Sequence, residues 1–171
     1  LLCCYTKSAV NHAVSRLDDD TRSSLFFRAR TFGSLIMEDD LPAFDNVVVD
    51  EAGMAHIAYV LFLSGLATRR ILFVGDPMQL GPITALDHDP SPWLQQNIFQ
   101  HQSGTDNLSE LYVWQEKYAD TSVLLREQFD IPERLFSVIN HFCYGNRLTC
   151  RSGGRGLISI TDTSELAPEL I

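Results

Sequence analysis

Two rhythms of apolar and polar positions alternate along this chain. Residues 1–6, "LLCCYT", are a short apolar run that predicts a buried strand. Over 8–17, "SAVNHAVSRL", apolar residues fall at helical spacing, with Ser8 the expected N-cap. "LFFRART" (25–31) predicts a second strand. "NVVV" (46–49) is β-branched and apolar on both faces, the pattern of a central parallel strand. In "MAHIAYVLFLSGLA" (54–67), Met54, Ile57, Ala58, Leu61, Phe62 and Leu66 share one helical face. "RRILFVGD" (69–76) predicts another buried strand. Strand, helix, strand over 46–76 is a βαβ unit, which implies a right-handed parallel crossover and an α/β fold.

Composition narrows the class. Hydrophobic residues make up 45% of the 171, so a packed core is expected, with room for one domain and part of another. No apolar run approaches the ~18 residues of a membrane span. The start lacks Met, a basic stretch and a cleavage-site pattern, so it is not read as a signal peptide. The formal charge is −9, which taken alone argues against a nucleic-acid binder. The acids cluster, however, in "LDDD" (17–20) and "MEDDLPAFD" (37–45), both expected to be solvated loops, so the global sign leaves local charge open. Cys3, Cys4, Cys143 and Cys150 have no zinc-ligand spacing and are expected to be reduced thiols of an intracellular, cytoplasmic or nuclear protein.

The chemistry sits where strands end. In a parallel sheet all carboxyl ends lie on one side, where open α/β sheets bind ligands. "VVVDEAGMA" (47–55) ends a strand in Asp50 and Glu51; "ILFVGDPMQLGP" (71–82) ends another in Asp76 and Gln79; Thr6 to Ser8 follow the first strand. One Asp after a strand is adequately explained as a turn cap; "DE" and "GDPMQ" together point to a site. A carboxylate on such an edge suits magnesium, which keeps waters and substrate phosphates as its other ligands. Glu51 is placed to deprotonate an attacking water. Gln79 is suited to sensing a terminal phosphate or positioning that water.

These residues carry a family resemblance over nearly the whole chain. "VVVDEAGMA" followed by "FVGDPMQLGP" resembles motifs II and III of superfamily 1 helicases. "CYTKSAVNHAVSRL" is similar to their motif Ia, in the form found in the nonsense-mediated-decay and Okazaki-processing branch. "RTFGSL" sits where motif Ib falls, and "LLREQFDIPERLFSVINHFCYGNRL" resembles motif IV and its helix. Each motif alone is weak; five in order are specific. The resemblance implies a RecA-like P-loop NTPase sheet flanked by helices, truncated at both ends: most of a first motor domain over 1–122 and the start of a second over 123–171. It implies an ATP-dependent helicase or translocase using ATP and Mg2+ on single-stranded DNA or RNA. Asp50 would hold magnesium, Glu51 activate water and Gln79 contact the γ-phosphate, with Asp76, Gln128 and Arg126 also on the nucleotide side. Thr6, Lys7, Ser8, Asn11, Thr31 and Gly33 would face the nucleic-acid strand.

The pattern also breaks. G-x-x-x-x-G-K-[ST] is absent, and no Gly-Lys pair occurs. "LLCCYTKS" has no glycine for the close backbone approach a phosphate cradle needs. The loop lies upstream of motif Ia in the family, so the chain reads as a fragment that is itself inactive. "QFDIP" places Asp130 where the family has a phosphate-contacting Arg, reversing the charge; Arg126, four residues earlier, is the alternative cation. Locally, Asp130 is expected to cap the helix starting near Glu133. Trp93 and Phe99 are read as packing residues rather than base-stacking ones. "RSGGRG" (151–156) reads as a mobile loop and 156–171 as the opening strand of the second domain. The competing reading is a degenerate helicase-like module that binds nucleic acid or protein without turnover.

Overall fold

The computed structural model describes residues 1–83 and 95–151. They fall into two compact units, Leu1–Tyr118 and a second beginning at Ala119. In the first unit, four parallel strands stand in the order β2-β1-β3-β4: β1 (Leu2–Cys4), β2 (Ala29–Thr31), β3 (Phe44–Val49) and β4 (Ala67–Phe73). Helices α1 (Lys7–Ser15), α2 (Asp19–Ser23), α3 (Phe32–Ile36) and α4 (Ile57–Leu66) connect them in sequence. Two more, α5 (Ile98–Ser103) and α6 (Leu108–Lys117), complete the unit. This mixed α/β arrangement with an all-parallel sheet is the RecA-like architecture expected.

β3 is an interior strand, paired with β1 on one side and β4 on the other, and on one of its faces Val47 and Val49 are almost wholly inaccessible. They join Leu1, Cys3, Phe32, Leu35, Ile57, Val60, Leu63 and Ile98 in one core. Burying a side chain such as Leu63 contributes roughly 1.5–3 kcal/mol. Both β1 cysteines are fully buried free thiols. Burial raises Cys3 well above the usual thiol range; burial, then the charges of Asp50 and Glu51, push Cys4 up from 9.0 to about 11. A raised thiol pKa favours the neutral folded form, so this stabilisation is present below pH 9.0 and lost as pH rises toward about 11. A native thiol-alkylation time course should therefore label Cys143 and Cys150 first. Cys3 and Cys4 should react only on unfolding, and unfolding midpoints should fall as pH rises from 9.0 to about 11.

Several expectations are corrected. The N-cap of α1 is Thr6, whose hydroxyl accepts from the Ala9 amide at 3.1 Å; Ser8 lies inside the helix. The second strand is only Ala29–Thr31, and Leu25 and Phe26 ahead of it are over 90% exposed. "LDDD" is not simply a loop: Asp18 caps α2, accepting from Thr21, which also draws its carboxyl below the usual range. On α4 the buried face is Ile57, Val60 and Leu63, whereas Leu61 and Phe62 are exposed. The helix is apolar all round, so periodicity could not choose its inner face. Among the described residues β4 is the last strand of the sheet, with Thr68, Arg69, Arg70 and Leu72 exposed, not a buried one.

The second unit contains a small βαβ element. β5 (Glu127–Gln128) pairs in parallel with β6 (Thr149–Cys150), with α7 (Glu133–Tyr144) between them. Asn140, buried on α7, donates to the Leu148 carbonyl at 2.9 Å and accepts from its amide at 3.1 Å, pinning the approach to β6. Gly145 ends α7 in the left-handed region, φ 57°, where glycine carries no Cβ penalty. The N-cap position of α7 is Pro132, without a side-chain cap, so Asp130 does not cap this helix. Trp93 and residues 152–171 lie outside the described residues.

Candidate nucleotide and nucleic-acid site

The register makes the strand ends level. Cys3 pairs with Val49, Val49 with Phe73, and Cys4 with Thr31. Residues just past β1, β2, β3 and β4 therefore leave at one carboxyl edge. That edge collects Thr6, Lys7 and Ser8, then Thr31 and Gly33, then Asp50 and Glu51, then Asp76 and Gln79.

The turn after β3 is tied down from both sides. The Asp50 amide donates to the Cys3 carbonyl at 2.8 Å, and the Ala52 amide donates to the Val74 carbonyl at 2.8 Å. Asp50 is half-buried and its Oδ1 accepts from the Glu51 amide at 3.1 Å. Glu51 is exposed and left-handed, with φ 53° and ψ 40°. Among the described residues only Asn146 shares a positive φ without being glycine, and Asn tolerates that region. A glutamate there sits at a cost of roughly 1–2 kcal/mol, the kind of strain that clusters at functional sites.

The turns after β3 and β4 lie against each other. A Cβ on Gly75 would come 3.0 Å from the Ala52 nitrogen, 3.1 Å from the Gly53 nitrogen and 3.3 Å from the Phe99 ring. A Cβ on Gly53 would meet the Asp76 carbonyl oxygen at 3.1 Å. "DEAG" and "GDPMQ" form one clamp because both contain glycine at the crossing. Phe99 packs on the core, as read from the sequence. Gly75→Ala should cost about 1–3 kcal/mol by overpacking against backbone, checked by denaturant unfolding against Gly81→Ala, where nothing lies within 4 Å.

Asp76 organises its own turn. Its Oδ1 accepts from the Met78 amide at 2.9 Å and its Oδ2 from Gln79 Nε2 at 3.0 Å, while its carbonyl accepts from the Gln79 amide at 3.3 Å. Exposed Gln79 thus reaches the edge already oriented.

The donor set suits magnesium only in company. No group of three or more His, Cys, Asp or Glu could hold a metal among the described residues. One half-buried hard carboxylate, Asp50, fits an ion that takes its other ligands from water and phosphates. Glu51 stands adjacent and exposed.

Thr6, Lys7, Ser8 and Asn11 lie on or just before the first turns of α1; Thr6, Lys7 and Asn11 are exposed and Ser8 is too. Thr31 caps α3 in a reciprocal box with Ser34, and the space beside Gly33 is open to 4 Å. Tyr5, just before Thr6, is 37% exposed, and its ring meets Phe32 edge-on at 5.9 Å.

In the second unit, Gln128 is spent locally. Its Nε2 donates to the Ile131 carbonyl at 2.8 Å and the Cys150 sulfur at 2.9 Å, and its Oε1 accepts from the Ile131 amide at 2.7 Å. Arg126 and Asp130 are exposed.

Residues 3–123 match the viral superfamily 1 RNA helicase core domain. The chain belongs to that family. No curated protein matches the chain. That membership gives the chain a helicase-type, nucleic-acid-related function. No helix among the described residues is long and apolar enough to cross a membrane.

Proposed function

We propose that the protein carrying this chain is an ATP-dependent helicase or translocase of single-stranded nucleic acid, with RNA the first substrate to test, given the matched family's description. Asp50 would hold the magnesium of MgATP and Glu51 would accept the proton of the attacking water. Gln79 and Asp76 would shape the γ-phosphate end, and we place the start of a second motor domain at about residue 123. Thr6, Lys7, Ser8, Asn11, Thr31 and Gly33 would track the strand's backbone: hydroxyls, a lysine and a helix N-terminus suit phosphates and carry no base specificity. The resemblance of "CYTKSAVNHAVSRL" to motif Ia favours kinship with the nonsense-mediated-decay and Okazaki-processing branch.

The observation that carries this reading is Glu51, held beside Asp50 in a backbone conformation that favours glycine. The test is ATP turnover by the full-length protein with and without single-stranded RNA or DNA. Turnover stimulated by one of them is expected; none under any condition would leave the degenerate binding module, which Asp130 favours. The 171-residue chain alone, lacking any Gly-Lys pair, should show no turnover, because positioning supplies most of phosphoryl-transfer catalysis. Activity in the isolated chain that Glu51→Gln abolishes would refute that expectation.

A further inference from the structure

We infer that Asp76 is a positioning residue that fixes the polarity of Gln79, so that Gln79 offers its carbonyl oxygen, an acceptor, to the site. This rests on the ATPase reading above and chooses between its two roles for Gln79. The Asp76 carboxylate only accepts hydrogen bonds. Its Oδ1 is engaged by the Met78 amide at 2.9 Å, so Oδ2 faces Gln79 and must take Nε2, at 3.0 Å. Gln79 Oε1 makes no hydrogen bond with the described residues and belongs to an exposed side chain.

The base of this arrangement is closely packed. Asp76 follows Gly75 at the backbone crossing with Ala52 and Gly53, and its own carbonyl oxygen stands 3.1 Å from where a Cβ on Gly53 would be. The Gln79 amide is thereby referenced to the Asp50–Glu51 turn rather than to a free loop. An acceptor at that place matches an O–H of the attacking water. It does not match a phosphate oxygen, which needs a donor. Gln79 would then orient the water whose proton Glu51 takes, and the phosphates would find their donors elsewhere.

Asp76→Asn inverts the polarity without changing shape. The Met78 amide still demands an oxygen, so the introduced asparagine must turn its Nδ2 to Gln79. Gln79 then flips to present its own Oε1 inward and its NH2 to the site. Adding Gln79→Glu corrects the inversion: Nδ2 donates to one carboxylate oxygen and the other again faces the site as an acceptor. The pair's net charge is the same as in the parent.

Two measurements test this on the full-length protein. With selective 15N-glutamine labelling, the Gln79 side-chain amide resonances should move strongly in Asp76→Asn; unchanged resonances would overturn the latch whatever the turnover. In ATPase assays, Asp76→Asn should lower kcat about 100-fold with KM for ATP within about threefold, and Asp76→Asn/Gln79→Glu should regain at least about tenfold of that loss. If Gln79 instead donates to phosphate, the single variant keeps its turnover and the double variant, aiming a carboxylate at phosphates, is the slowest; that order overturns the inference. Absence of turnover in the parent protein would sink the ATPase reading and the water role together, whereas the resonance shift would still decide the Asp76–Gln79 orientation.

Discussion

Glu51→Gln should abolish ATP turnover in the full-length protein while leaving MgATP binding within a few-fold of the parent. The amide keeps the shape of the side chain and cannot take a proton from water. General-base catalysis is worth about 10²–10⁴-fold, so the loss should be unmistakable. The backbone adds a second arm that catalysis alone does not predict. Glu51 stands at φ 53°, ψ 40°. The Glu51→Gln variant would keep that strain and unfold at the parent's midpoint. Glu51→Gly would relieve it and raise stability by about 1 kcal/mol while losing turnover as completely. A glutamate whose removal stabilises the fold and silences the enzyme is retained for chemistry. Near-normal turnover in Glu51→Gln would remove it from the mechanism, and an unchanged or lower midpoint in Glu51→Gly would remove strain from the argument.

How these features were legible varies with the physics behind them. The β-branched run at 46–49 forces a buried central strand, and a βαβ connection is parallel and right-handed almost without exception. From those two facts the common edge of Asp50 and Gln79 follows before any coordinates. The left-handed backbone of Glu51 does not follow, because no local residue preference selects it; the tie of Ala52 to Val74 and the crossing at Gly75 impose it. The inner face of α4 was hidden because an all-apolar helix has no preferred side, and only contact with β3 and β4 decides it. β4 looked buried because "ILFV" is apolar, but a strand's neighbours are a property of sheet order, not of its own residues. In the second unit, β5 and β6 are two residues each, below the length at which alternation can be read. Thr6 and Ser8 are both capping residues, Ser the better by preference; the place where the strand ends chose Thr6.

Asp130→Arg should raise ATP turnover in the full-length protein. The resemblance aligns Asp130 with an arginine that meets nucleotide phosphates, and a carboxylate there repels what the arginine would attract, more strongly once water is excluded. A stabilising arginine in phosphoryl transfer is worth about 10³-fold or more, so even imperfect placement should give at least about a tenfold gain. The structure sharpens the experiment by removing a competing role. α7 is capped at Pro132 with no side-chain bond, so losing Asp130 should not carry the ~1 kcal/mol that a lost N-cap would. Asp130 is exposed, and the unfolding midpoint should stay within the range of an ordinary surface substitution, about 0.5 kcal/mol. A gain in turnover at constant stability would then be electrostatic in origin. Unchanged or reduced turnover at that same stability would place Asp130 away from the phosphates and leave Arg126, exposed just before β5, as the cation to replace next.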